Sequence, residues 1–234
     1  MLTGCRLEVR VDLDVARDGS GQLGFVLRAD REAQERAQAA GADPLAVLVD
    51  AGARLRQEGW AASDRTDPDG TREVSVSVEF ADPAALDALT RDLTTALDAP
   101  EGQLLESLRV VLTEERIRVE GAAALQPRDA VIDYGLGPEE LVTLLRERDA
   151  LGYTLGVTLP GEVLAHNATR SQERGLEWDI APGERVELAA EGVRPSTSLL
   201  PVIASAAGAL ALVGLLVGLR ARRTRQVLQP PRPE

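Results

Sequence analysis

The sequence predicts an α+β protein: a mainly antiparallel sheet with helices on one face, followed by a single C-terminal transmembrane helix. Three observations point there. Runs of alternating apolar and polar residues recur along the chain and are joined by turn-sized segments, which favours antiparallel pairing. Asp-Pro and Gly-Pro pairs open apolar stripes of helical spacing between these runs. An uncharged stretch then runs from Leu199 to Leu219.

The elements follow in order. Leu7, Val9, Val11, Leu13 and Val15 alternate with charged residues, as in a half-buried strand. The turn Asp18-Gly19-Ser20-Gly21 leads to Leu23, Phe25 and Leu27, which completes a hairpin. Asp30 to Ala40 is a weakly amphipathic helix. Asp43-Pro44 starts a second, with Leu45, Leu48, Val49, Gly52 and Leu55 on one face and Gly59 ending it. Segments 60–65 and 74–80 flank the turn Asp67-Pro68-Asp69-Gly70. Asp82-Pro83 begins a helix striped by Leu86, Leu89, Leu93 and Leu97. Strands are expected at 104–112 and 116–123, then a short helix from Gly137-Pro138 bearing Leu141, Leu144 and Leu145. Further strands are expected at 151–159, 176–180 and 185–193, for a sheet of about eight strands.

The strand from Leu151 to Leu159 places its large apolar side chains on one face and Gly152, Thr154, Gly156 and Thr158 on the other. Glycine inside a strand weakens it and marks close approach by a backbone or a ligand. Those four residues, with Trp178, are the candidate ligand-binding positions. An ordinary outward face explains the pattern equally well.

The ends of the chain speak of a membrane. At 1.5 Å per residue, a run of about 20 apolar residues spans the hydrocarbon core, so 199–219 reads as a transmembrane helix. Arg220, Arg222, Arg223 and Arg225 follow, which places the tail 220–234 in the cytoplasm and the domain 6–195 outside. The outer part carries 21 Arg against 37 acids, about −16, where the whole chain is −12. Leu2-Thr3-Gly4-Cys5 fits the bacterial lipobox, so residues 1–5 read as a lipobox remnant and Cys5, the only cysteine, as a lipidated residue. The charged and apolar parts of its signal are expected upstream. A spanning helix already anchors permanently, so a second anchor is expected to fix orientation, with one edge of the fold against the bilayer. Gly214 and Gly218 form a G-x-x-x-G pair that permits a homodimer through the membrane helix.

Composition narrows the function. The acidic balance opposes nucleic acid as a partner, since phosphate binding needs a basic face. A single cysteine excludes an intramolecular disulfide and a cysteine-based zinc site. Gly19-Ser20-Gly21-Gln22-Leu23-Gly24 matches a dinucleotide fingerprint by letter but leads into a strand, where pyrophosphate binding requires a helix N-terminus. Asp67-Pro68-Asp69-Gly70 lacks the alternating oxygen ligands of a calcium loop. His166, the only histidine, has no nucleophile beside it in sequence. No catalytic residue, metal or cofactor is expected, and the chain is not read as an enzyme.

Pro160-Gly161-Glu162-Val163, then Asn167, then Trp178 and Pro182-Gly183-Glu184 before a last strand form a recognisable series. Together with the lipobox and the terminal helix, it resembles the LppM family of actinobacterial cell-envelope lipoproteins. The resemblance covers most of the chain and is most specific over 160–184. It implies a membrane-anchored envelope lipoprotein whose outer domain binds a lipid or glycolipid without catalysis. The two Pro-Gly-Glu segments are expected to be turns, and Trp178 core or pocket wall. The competing expectation is a non-catalytic scaffold or protein-interaction module with a fully packed core.

Overall fold

The computed structural model describes residues 6–98, 104–126, 137–172 and 175–195. Cys5, the stretch 199–219 and the tail 220–234 lie outside the described residues. Among the described residues, no helix is long and apolar enough to cross a membrane.

The chain opens with β1 (Leu7–Val15) and β2 (Gly21–Ala29), a hairpin in which Leu13 faces Leu23 and Val9 faces Leu27. Helix α1 (Arg31–Ala39) starts where the Asp30 carboxylate accepts the Ala33 amide at 2.7 Å, as an N-cap does. Helix α2 (Ala46–Leu55) buries Leu48, Ala51, Gly52 and Leu55. A second hairpin, β3 (Ala61–Thr66) and β4 (Arg72–Phe80), follows. Asp82 caps a short 3₁₀ turn through the Ala84 amide, and α3 (Leu86–Ala96) continues with Leu86, Thr90, Leu93 and Ala96 buried. Next come β5 (Leu104–Leu112), β6 (Arg116–Ala124) and α4 (Pro138–Glu147). The last segment holds β7 (Leu151–Thr158), β8 (Val163–His166), β9 (Arg170–Gln172), β10 (Gly175–Ile180) and β11 (Arg185–Val193).

The expected single sheet is in fact two. A seven-stranded sheet runs β3-β4-β2-β1-β7-β10-β9, and a four-stranded sheet runs β5-β6-β11-β8. The strand count is eleven among the described residues, against about eight expected. Period-2 alternation demands only that each strand bury one face and does not say which sheet receives it. The two strands not foreseen, β8 and β9, are short and mostly exposed, so they show no alternation to read. Pairing is mainly antiparallel, with one exception. β1 pairs parallel to β7, Val11 opposite Leu155, across most of the chain's length.

Helices cover only part of the large sheet's inner face: α2 lies on β3 and β4, and α3 packs between α2 and β5. The rest of that face meets the small sheet in one continuous core that includes Val11, Leu155 and Trp178 from one side and Leu108, Val119 and Leu188 from the other.

Candidate functional site

Two buried polar contacts tie the sheets together. Trp178 on β10 is 1% exposed, and its indole N–H donates to Asn167 Oδ1 at 2.8 Å. The same oxygen accepts the Ala189 amide of β11 at 2.9 Å, and Asn167 Nδ2 donates to the Glu187 carbonyl. Near the other end of the interface, the Tyr153 hydroxyl donates to the Leu104 carbonyl at 3.1 Å, and burial pushes its phenol well above the ordinary tyrosine range.

Beside Tyr153 the packing opens. An apolar cavity of about 390 Å³ lies where α2 and α4 meet the two sheets. Leu7, Val9, Phe25 and Leu27 line it from β1 and β2, and Leu141 and Leu145 from α4. Val47 contributes from α2 and is 39% exposed. An exposed apolar side chain therefore borders the space. Of the thirteen residues around it only Gln126 has a polar side chain.

The Gly/Thr face of β7 turns away from this cavity. The register sets Gly156 between Asp12 of β1 and Glu177 of β10. A Cβ there would lie 2.5 Å from Asp12 Oδ1 and 3.0 Å from an Arg10 nitrogen, so an ion pair lies over the glycine. Arg10 also reaches Glu177 at 3.1 Å, and Arg170 reaches Glu177 at 3.2 Å and Asp179 at 2.8 Å. Burial works to raise the Glu177 carboxyl, but hydrogen bonds from Arg10 and Arg170 outweigh it and hold the group below its ordinary value.

Of the five candidate ligand positions, the structure brings Gly152 and Thr154 together. Both line a polar basin of about 400 Å³ with Arg6, Arg146, Arg170 and Asp179. Thr154 Oγ1 donates to Asp179 at 3.3 Å. Gly156 lies under the ion pairs, Thr158 is exposed and Trp178 is sealed in the core. A wider hollow of about 640 Å³ at the opposite end of β1 is bordered by Asp14, Gln22 and Glu79.

Both Pro-Gly-Glu segments are bends of the chain. At Gly161 a Cβ would fall 2.1 Å from the Val193 carbonyl oxygen, and Val193 N–H donates to the Glu162 carbonyl. Pro182-Gly183-Glu184 carries the chain from β10 in one sheet to β11 in the other. Gly183 has φ +78°, its N–H donates to Leu125 O, and Arg146 Nε donates to Pro182 O at 2.8 Å. This turn is thereby fixed against α4, beside the basin.

The ends of the described domain sit at opposite ends of β1. The Arg6 N–H donates to the Asp30 carboxylate and the Arg6 carbonyl accepts the Asp30 amide, whereas Arg194 donates to the carbonyls of Arg17 and Thr113. Nine strand residues separate them, roughly 30 Å. The apolar cavity lies at the Arg6 end, since Leu7 lines it.

Among the described residues, no group of three or more His, Cys, Asp and Glu could hold a metal ion. His166 is exposed and accepts the Ala168 amide at its Nδ1. Sequence reasoning missed the cavity because Leu7, Val9, Phe25 and Leu27 read as ordinary core residues. Nothing in their spacing separates a wall that meets another side chain from one that meets space. Arg146 likewise reads as one more charge on a solvated helix.

Comparison with known proteins adds the lineage. No curated protein matches the chain. The NMR structure of the folded domain of LppM from Mycobacterium tuberculosis is similar at a TM-score of 0.48 and 16% identity, over 82% of this chain and 92% of that one. The sequence model of the LppM domain matches residues 8–194, nearly the whole span of the described residues. The chain therefore belongs to the LppM domain family.

Proposed function

We propose that this protein is a membrane-anchored component of the cell envelope whose outer domain holds the hydrocarbon of a lipid or glycolipid in the cavity between α2, α4 and the sheets. The observation that carries the reading is the lining: twelve of the thirteen residues around about 390 Å³ have apolar side chains, and one of them, Val47, is 39% exposed. A surface recess lined almost wholly by apolar side chains leaves apolar area in water unless something covers it. Each methylene that leaves water for this site gains roughly 0.8 kcal/mol.

The membrane attachment belongs to the same proposal. Cys5 carries the lipid, 199–219 spans the bilayer and the Arg-rich tail stays inside. Leu7, on the cavity wall, is two residues from Cys5 in the sequence.

Mass spectrometry on the full-length protein, expressed from an upstream start in a lipoprotein-processing host and extracted in mild detergent, tests both parts. Expected are diacylglycerol mass on Cys5 and a stoichiometric co-purifying lipid. A protein that carries no lipid and takes up none from added envelope extract would favour the scaffold reading.

A further inference from the structure

We propose that the bound ligand is a single-chain amphiphile with an acidic head: one acyl chain of about fifteen carbons in the cavity, and its anionic end in the neighbouring basin. This rests on the cavity being a lipid site at all. The chain limit comes from volume. An apolar cavity of ~150 Å³ suffices for benzene, so a space of about 390 Å³ takes on the order of fifteen carbons. Two chains of a membrane lipid exceed it.

The head assignment comes from what lies alongside. Leu145 and Leu151 line both the apolar cavity and the polar basin, so the two spaces share one wall. The basin is lined by three arginines (Arg6, Arg146, Arg170) against two carboxylates, Asp149 and Asp179. Glu8 and Glu177 pair with the outer two of these arginines, so the assignment of an anionic head rests on Arg146. Arg6 is paired with Glu8 and Asp149, and Arg170 with Glu177 and Asp179. Arg146 differs. Its Nε donates to the Pro182 carbonyl, which fixes the guanidinium plane, and among the described residues it forms no salt bridge. A fixed guanidinium with unspent N–H groups, one residue from the cavity wall at Leu145, suits a carboxylate or phosphate. The missing side chain at Gly152 keeps the floor of the basin low, where a Cβ would come within 3.4 Å of Arg6.

The test is a binding series on the delipidated full-length protein in detergent micelles, read by native mass spectrometry. Fatty acids from eight to twenty carbons serve as probes, with fatty alcohols, lysophosphatidylglycerol and inorganic phosphate beside them. Affinity should rise about fourfold per methylene and level off near fifteen carbons. The acid should exceed the alcohol of equal length by about tenfold. Arg146→Gln should abolish that preference while alcohol binding persists, and Arg146→Lys should retain it. Lysophosphatidylglycerol displacing the fatty acid would identify a lipid head as the source of the anion, and displacement by phosphate alone a free anion. An affinity that keeps rising to twenty carbons, or acids and alcohols bound alike, would overturn this inference and leave the lipid site standing. Failure of every chain length to bind would overturn both.

Discussion

Trp178 in the seven-stranded sheet and Asn167 at the border of the four-stranded sheet share a hydrogen bond of 2.8 Å, and the accepting oxygen also holds the Ala189 amide of β11. One amide side chain thus satisfies two donors, one from each sheet. Asn167→Ala leaves the sealed indole N–H without a partner, a loss of about 1–3 kcal/mol. Trp178→Phe removes the donor together with its need. The double variant should therefore be clearly more stable than the sum of the two single losses implies, as a denaturant cycle will read. Additive losses would mean that the contact contributes nothing.

Gly183 sits at φ +78°, and an added Cβ would approach Val142 to 2.9 Å. Gly183→Ala should cost about 1–2 kcal/mol from the left-handed backbone alone. The turn also holds Arg146 through the Pro182 carbonyl, so acid preference in the binding series should weaken along with the denaturant midpoint.

Gly156→Ala tests the polar face of β7. The new methyl meets side-chain atoms of Asp12 and Arg10, which can rearrange in solvent. The pair is 42–46% exposed, and its disruption should cost no more than about 1 kcal/mol. Lipid occupancy should stay unchanged, because the apolar cavity lies on the other face. A fall in occupancy would move the site to the outer face.

Glu177 supplies a pH signature. Its folded carboxyl is held below the ordinary glutamate value, so the charged form contributes stability above that value, and the contribution fades as pH falls towards the folded one. Thermal midpoints should therefore drop from about pH 5 downwards, and Glu177→Gln should shallow that drop. An identical acid limb in the variant would show that the Arg10–Glu177–Arg170 chain does not couple to folding.

Val47→Trp places bulk at the partly exposed wall of the cavity. Co-purified lipid should fall severalfold while the midpoint of the lipid-free protein holds or rises, since the indole occupies space rather than displacing packed atoms. An early-melting variant that retains its lipid would mean that the site was packed.

The sequence by itself determined most of the secondary structure. Alternation in Leu7–Val15 and the Asp-Pro helix starts are local properties, written in the spacing of side chains along one segment. It also carried the family through Pro160 to Glu184, where turns that link the two sheets leave little choice of residue. The tertiary structure decided what those segments do together. Only it pairs β1 in parallel with β7 and divides the strands between two sheets, because alternation specifies that a face is buried and not against what. It gave Asn167 its role through contacts with Trp178 and Ala189, on two later strands. It also separated the apolar cavity from the Gly/Thr face of β7, since an empty volume is a property of where distant side chains end, and no single segment encodes it.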